Sequence, residues 1–263
     1  PYFRGANGGV YMRTSDSEGN IDEKLIYHND LYVVSRVRDP EEGEAIVMRL
    51  HLPKDPVREF TIPLTAVTSR EEFRKAMAKE GVAETKMDYI MQYTTTWVHE
   101  LQADGEATDA HTQFGWTDDS ALSSFILGDK EIFADKIQYN PPTKRTGSMF
   151  PVFDPRGTLE GWKDMINFYN QPDMELHQFI VASSFGSVLM QLGSINNGMF
   201  HIHSKKSGLG KTTAMLAAAS VWGRPKGLMM KKKDTENSRY LRCELYKNLP
   251  LFVDEVTNSS GKV

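Results

Sequence analysis

The chain has 263 residues, 40% of them hydrophobic and 25% charged, with a formal net charge of −4; these values are ordinary for a globular protein of one large or two modest domains. Its single cysteine, Cys243, excludes an internal disulfide and favours a reducing, intracellular setting. No apolar run approaches the roughly 18 to 20 residues of a membrane helix, and the N-terminus lacks the apolar core of a signal peptide, so we expect no membrane association.

The first 138 residues predict an α+β domain. Runs rich in β-branched and aromatic residues, separated by turn-forming stretches, predict strands in "GGVYMRT", "DLYVVSRVRD", "EAIVMRLHL" and "REFTIPLTAV". "TSREEFRKAMAKEG" has a cap at its start and a glycine at its end, and "ETKMDYIMQYTTTWVHELQ" places its apolar residues along one stripe, so both predict helices. Short strands with a turn at Gly128-Asp129 are expected within "HTQFGWTDDSALSSFILGDKEIFA".

A stretch rich in Pro and Gly, residues 139–158, predicts a linker to a second domain over residues 159–263. Two helices are expected after this linker, around 159–170 and 173–192, as a helical lead-in. The segment Met199–His203, within "NGMFHIHS", then predicts a short strand that runs into a glycine-containing loop.

The loop and its continuation, "HSKKSGLGKTTAMLAAASVWG", largely match the phosphate-binding pattern G-x-x-x-x-G-K-[ST]. Lys205 stands at the pattern's first glycine, which is tolerable where the backbone angles are ordinary. A strand, this turn and a helix together surround phosphates with backbone N–H groups; Lys211 would reach the β- and γ-phosphates, and the Thr212 hydroxyl would take a Mg²⁺ position. The residues expected to bind the nucleotide are Ser207, Gly208, Leu209, Gly210, Lys211, Thr212 and Thr213.

A hydrophobic run that ends in two carboxylates, "LPLFVDE" at residues 249–255, predicts the Walker B strand that accompanies such a loop. Asp254 is expected to hold Mg²⁺ directly or through water, and Glu255 to polarise the attacking water, as the catalytic partner of Lys211. The spacing of 43 positions between Lys211 and Asp254 leaves room for a helix, a connection and a return strand in one α/β sheet. Together, the loop and the strand predict a site for a nucleoside triphosphate and Mg²⁺, and the resemblance described next implies that the nucleotide is ATP.

Stretches from nearly the whole chain resemble the family whose shared region is labelled domain of unknown function 927. They are "PYFRGANGGVY", "DLYVVSRVRD", "GWTDDSALSSFILG", "GMFHIHSKKSGLGKTTAMLAAASVWGRP" and "TENSRYLRCELYKNLPLFVDE". The family looks like the AAA+ replicative helicases of phages and mobile elements, akin to those of staphylococcal pathogenicity islands and chromosome cassettes. By this resemblance, Lys211, Thr212, Asp254 and Glu255 carry the phosphate, metal and hydrolysis roles, and Lys205 is the departure.

The resemblance implies an ATP-driven, self-loading helicase that acts on single-stranded DNA as a homo-oligomer, a hexameric ring, in the cytoplasm of a bacterial or phage-infected cell. Such a motor should continue past the Walker B strand with a sensor strand and an arginine finger, which supplies much of the rate. We therefore expect an α+β N-terminal domain followed by a partial α/β P-loop NTPase domain of the AAA+ type, truncated after the Walker B strand. Such a fragment is expected to hydrolyse ATP weakly or not at all by itself.

The segment from His201 to Lys247 has eleven Lys and Arg against three Asp and Glu, so the rest of the chain is net acidic. Lys231, Lys232 and Lys233 are candidates for contact with DNA phosphates, with a solvated lysine-rich face as the alternative.

Other functions are compatible with the same residues. A non-motor nucleotide-binding module, using the loop as a switch or assembly device, is the main alternative. A P-loop kinase fits less well, because the Asp-Glu pair favours hydrolysis over transfer to a small molecule. "HELQADGEATDAH" does not predict a metal site, since Ala103 stands where a zinc protease would have its second histidine.

Overall fold

A computed structural model of the chain describes residues 2–118, 121–193, 195–206 and 208–254. The chain divides into two compact units, which meet in sequence between Ala110 and His111, and each unit contains a hydrophobic cluster. This division lies upstream of the boundary expected near residue 138, because Phe114, Phe125 and Ile126 belong to the core of the second unit. Within the described ranges, no helix combines the length and the apolar character needed to cross a bilayer.

The first unit contains a three-stranded sheet and a four-stranded sheet. Antiparallel strands β1 (Tyr2–Arg4), β2 (Val10–Ser15) and β3 (Ile21–Tyr27) form the smaller sheet in chain order. The larger sheet is built from β4 (Asp30–Asp39), β5 (Gly43–His51), β6 (Arg58–Pro63) and β7 (Thr108–Asp109), in the order β6-β5-β4-β7. β2, β4, β5 and β6 lie inside the predicted runs or extend at most one residue beyond them. β3 was not predicted, because its exposed half, "IDEK", is mostly charged.

Three helices complete this unit: α1 (Leu64–Val67), α2 (Arg70–Lys79) and α3 (Met87–Asp104). α1 occupies the end of a run predicted as strand, because Pro63 has no N–H with which to continue the ladder. The apolar stripe predicted for α3 is confirmed, since Met87, Ile90 and Val98 are buried in the core. Tyr93 is also buried there, and its hydroxyl donates to the Leu31 carbonyl at 2.8 Å.

The second unit begins with an antiparallel meander of short strands. These are β8 (Gly115–Trp116), β9 (Phe125–Leu127), β10 (Lys130–Ile132) and β11 (Ile137–Tyr139). The predicted turn between β9 and β10 is confirmed, because Gly128 has a φ of +61°, in the left-handed region.

Residues 140–153, expected in a linker, pack within the second unit. Thr143 and Thr146 are buried, and their hydroxyls lie 3.1 Å apart. A 3₁₀ helix, Phe150–Phe153, follows them and buries Phe153 against Phe114, with 4.7 Å between the ring centroids. The segment therefore forms turns and also contributes Phe153 to the hydrophobic core of the second unit.

Among the described residues, the remainder of the second unit contains helices and a two-stranded parallel sheet. The helices are α4 (Leu159–Asn167), α5 (Glu175–Leu189), α6 (Lys211–Ala219), α7 (Pro225–Leu228) and α8 (Glu236–Leu245). The sheet pairs β12 (Met229–Met230) with β13 (Phe252–Val253), with Met229 opposite Phe252. α4 and α5 confirm the two helices predicted after residue 158.

The prediction of a strand at Met199–His203 is wrong, because these residues have no regular secondary structure. Met199 is 92% exposed and Phe200 60% exposed. A strand is stabilised by a paired neighbour, and no strand among the described residues pairs with this segment. β13 is also shorter than the predicted run at 249–255. The parallel sheet is therefore smaller than the loop-and-strand pattern implies.

Candidate functional site

A tight turn built on two glycines leads into α6. Gly208 and Gly210 have φ angles of +77° and +73°, a region that residues with a Cβ rarely adopt. Gly210 is also the N-cap residue of α6, and its carbonyl accepts the Ala214 N–H at 2.8 Å. The backbone shape therefore explains both glycines of the loop.

Lys205, at the position of the pattern's first glycine, is compatible with this turn. In the part of the chain that the structure describes, the non-glycine residues with positive φ are Leu122 and Asp173. The backbone of Lys205 consequently lies in a region open to any residue, and its side chain is exposed. The missing glycine therefore does not prevent the turn from forming.

Small side chains hold α6 against α5. Four alanines of α6 are buried, and the Ser184 hydroxyl of α5 donates to the Ala218 carbonyl at 2.8 Å. Trp222, just after α6, donates its indole N–H to the same hydroxyl at 2.9 Å. These contacts fix the position of the α6 N-terminus, whose first N–H groups have no partner within the helix. The positive end of the helix dipole is there too, so this end favours an anion.

The start of α6 lies beside the end of β13. The Thr212 hydroxyl donates to Oδ1 of Asp254 over 3.5 Å, although 42 positions separate the two residues. Asp254 is placed by the pairing of β13 with β12, because its N–H donates to the Met230 carbonyl at 3.0 Å. The structure thus brings together the two residues predicted as metal ligands, from two different elements.

Lys211 is the first residue of α6, and its side chain folds back onto the turn. Its Nζ donates to the Lys206 carbonyl at 3.3 Å. The ammonium therefore lies against the turn that precedes α6, where it adds positive charge to that of the helix end. Leu209 and Thr213 are exposed. The remaining predicted site residues, Ser207 and Glu255, lie outside the described residues.

A family profile described as Domain of unknown function (DUF927) matches residues 3–262. The chain belongs to this family. Comparison with curated proteins finds no match. The matched range includes the glycine turn and Asp254, so both parts of the candidate site lie within the DUF927 region.

In the DUF927 chain, the three lysines at 231–233 directly follow β12 and are exposed. Asp234 and Arg239 shape this turn: Asp234 Oδ2 accepts the first lysine's N–H at 2.8 Å, and the Arg239 guanidinium donates to the first two lysine carbonyls at 2.8 and 3.1 Å. Parallel neighbours end at the same edge of a sheet. The lysines and Asp254 therefore share one edge of the small sheet.

One contact of the glycine turn has no signal in the sequence. His177, in the first turn of α5, has its Nε2 3.3 Å from the Leu209 carbonyl oxygen. Its ring stacks on Tyr169, with 5.5 Å between the centroids and 17° between the planes. A single histidine 32 positions upstream of its partner carries no motif or periodicity that would reveal the contact.

The arrangement suits a polyphosphate bound together with a divalent cation. Mg²⁺ binds oxygen ligands, often one or two from the protein with the rest from water and substrate phosphates, so the Thr212 hydroxyl and the Asp254 carboxylate fit it. In the described part of this DUF927 chain, no group of three or more His, Cys, Asp or Glu residues could hold a metal ion.

Proposed function

We propose that this chain binds ATP with Mg²⁺ at the turn before α6 and belongs to the motor of a DNA helicase that replicates a phage or mobile element. The observation that carries the proposal is the meeting of the Thr212 hydroxyl and the Asp254 carboxylate, 3.5 Å apart at the N-terminus of α6. A hydroxyl, a carboxylate, a lysine ammonium and helix N–H groups at one point are the groups that a Mg²⁺–triphosphate requires.

Each residue has a distinct role in this proposal. The N–H groups of the turn and of the first turn of α6 hold phosphate oxygens, and the Lys211 ammonium neutralises charge on the β- and γ-phosphates. Thr212 and Asp254 hold Mg²⁺, which supplies further neutralisation of the phosphates when bound. Glu255, the next residue along the chain, polarises the attacking water.

The helicase part of the proposal has two supports. One is the resemblance to AAA+ replicative helicases, which implies a hexameric ring on single-stranded DNA in a bacterial or phage-infected cell. The other is the exposed lysine turn at 231–233, whose charge suits DNA phosphates. A backbone hydrogen bond of 3.0 Å joins Asp254 to Met230, the residue before this turn. A displacement of Asp254 would therefore also displace the backbone next to the lysines.

Calorimetric titration with ATP, with and without Mg²⁺, tests the nucleotide site. Lys211→Ala should weaken binding about ten- to one-hundred-fold, because it removes a charge-assisted contact. Asp254→Asn should abolish the gain in affinity that Mg²⁺ provides and leave Mg²⁺-free binding nearly unchanged. Lys226→Ala, at an exposed lysine of α7, is the matched control and should bind as the wild type does. Equal affinities for wild type and Lys211→Ala would reject the site.

Hydrolysis and strand displacement by the assembled oligomer test the motor. Single-stranded DNA should stimulate ATP hydrolysis, and Glu255→Gln should bind ATP while losing both hydrolysis and displacement. Tight MgATP binding without DNA stimulation or strand displacement would contradict a helicase and favour the nucleotide-dependent switch.

A further inference from the structure

His177 lies beside the two residues that precede Lys211. Its Nε2 lies 3.3 Å from the Leu209 carbonyl oxygen, and a Cβ built on Gly210 would lie 3.3 Å from the same nitrogen. α5 supplies this contact from outside the loop-and-strand motif. The imidazole therefore braces the turn on one side.

Packing against Tyr169 does not by itself explain why residue 177 is a histidine. Tyr169 holds the ring by stacking, at 5.5 Å between centroids. Nδ1 is buried, and no described residue is its hydrogen-bond partner. A phenylalanine would stack equally well and would bury no polar nitrogen, so the stacking alone does not explain a histidine. The contact that a histidine adds is the one from Nε2 to Leu209.

That contact controls the direction of a backbone N–H group. The peptide unit joining Leu209 to Gly210 is planar and trans, so its carbonyl oxygen and its N–H point in opposite directions. A neutral imidazole that carries its proton on Nε2 donates to the carbonyl and keeps the Gly210 N–H turned away from it. Without a side chain, Gly210 would otherwise permit several orientations of this unit.

We propose that His177 is a positioning residue of the ATP site, which fixes the 209–210 peptide so that the Gly210 N–H meets a phosphate oxygen of the bound nucleotide. This role rests on the proposed function, because it concerns the same turn. His177 does not touch the phosphates itself and acts through the backbone.

Two variants of the 263-residue chain separate the donor from the ring. His177→Phe keeps the aromatic stacking on Tyr169 and removes the donor. His177→Gln removes the ring and retains an N–H donor on a side chain of similar reach. The dissociation constant for MgATP and the melting temperature of the nucleotide-free chain are measured for both variants, for the wild type and for Lys211→Ala.

We expect His177→Phe to weaken MgATP binding about five-fold, because the 209–210 peptide is then free to turn its N–H away from the phosphates. The melting temperature should fall only by the small amount that one lost hydrogen bond costs. His177→Gln should bind within about two-fold of the wild type. Wild-type affinity in His177→Phe, or equal weakening in both variants, would overturn the role, because then the donor is not what matters. In those cases Lys211→Ala still weakens binding. If the wild type does not bind MgATP, or if Lys211→Ala binds as tightly, the ATP site itself fails and the role of His177 fails with it.

Discussion

Gly210→Ala adds one methyl group where the glycine turn enters α6. At a φ of +73°, an L-residue costs roughly 1 to 2 kcal/mol relative to glycine. The new Cβ would also lie 3.3 Å from Nε2 of His177, so the imidazole or the turn must shift by a few tenths of an ångström. Because His177 is only half-buried and can yield, we add up to about 1 kcal/mol for this crowding. The expected loss of stability is about 2 kcal/mol.

Gly208→Ala is the matched comparison. Gly208 has a similar φ of +77°, but no atom lies within 4 Å of a Cβ built there. The variant therefore reports the conformational cost alone, about 1 kcal/mol. The difference between the two variants measures the contact with His177.

Urea unfolding followed by tryptophan fluorescence measures these losses, because three of the four tryptophans lie in the second unit. MgATP titration of the same variants should show at least a ten-fold loss for Gly210→Ala, whose displaced N–H no longer faces the phosphates, and a smaller loss for Gly208→Ala. Stability of Gly210→Ala within about 0.5 kcal/mol of the wild type would refute the left-handed conformation. Equal losses in both variants would refute the contact with His177.

Three further sets of changes have defined outcomes. Gly223→Ala would place a Cβ 2.3 Å from the Val152 carbonyl oxygen, so urea unfolding should show a loss of stability above about 3 kcal/mol. Gly157→Ala is the control, because its φ is +83° but the space around it is open, and it should lose about 1 kcal/mol of stability. Similar losses in the two variants would contradict the packing at Gly223. Tyr246→Phe removes a buried hydroxyl with no partner among the described residues and should leave stability unchanged or higher, whereas Tyr93→Phe loses a hydrogen bond and should cost about 1 kcal/mol. Burial raises the pKa of each of these two tyrosines from 10.0 to about 12. The stability linked to this shift is complete below pH 10 and is lost as the pH rises through 12. The urea midpoint should therefore fall over that window, and it should fall less steeply in the variant with both tyrosines replaced by phenylalanine. Replacing the lysines at 231–233 by alanine should reduce the salt dependence of single-stranded DNA binding, with the slope of log K against log salt changing by about 2, and an unchanged slope would assign these lysines to a solvated face.

Local sequence patterns predict the helices and the longer strands, because the signal lies in neighbouring residues. α3 follows from its apolar stripe and β4 from a β-branched run bounded by turns. Met199–His203 has a strand-like composition but forms no strand, since pairing requires a neighbour that local composition does not specify. Residues 140–153 were expected in a linker but pack within the second unit. Their Pro and Gly residues indicate turns, but they do not indicate whether those turns pack against a core.

Local sequence likewise predicts some features of the candidate site, whereas others depend on tertiary contacts. The Gly-Lys-Thr spacing predicts a turn followed by the start of a helix, and the structure places Lys211 and Thr212 in the first turn of α6. The presence of an acidic residue after a hydrophobic run is also evident from the sequence. Its distance from Thr212 is not, because that distance depends on the parallel pairing of β12 with β13.

The sequence by itself determined the left-handed turn at Gly208 and Gly210 and the point where α6 begins, because backbone preferences of glycine and of helix starts act over a few residues. Only the tertiary structure decided that Asp254 lies beside Thr212 and that His177 braces the turn. Those contacts join residues tens of positions apart, and they arise from how buried alanines, strands and aromatic rings pack together.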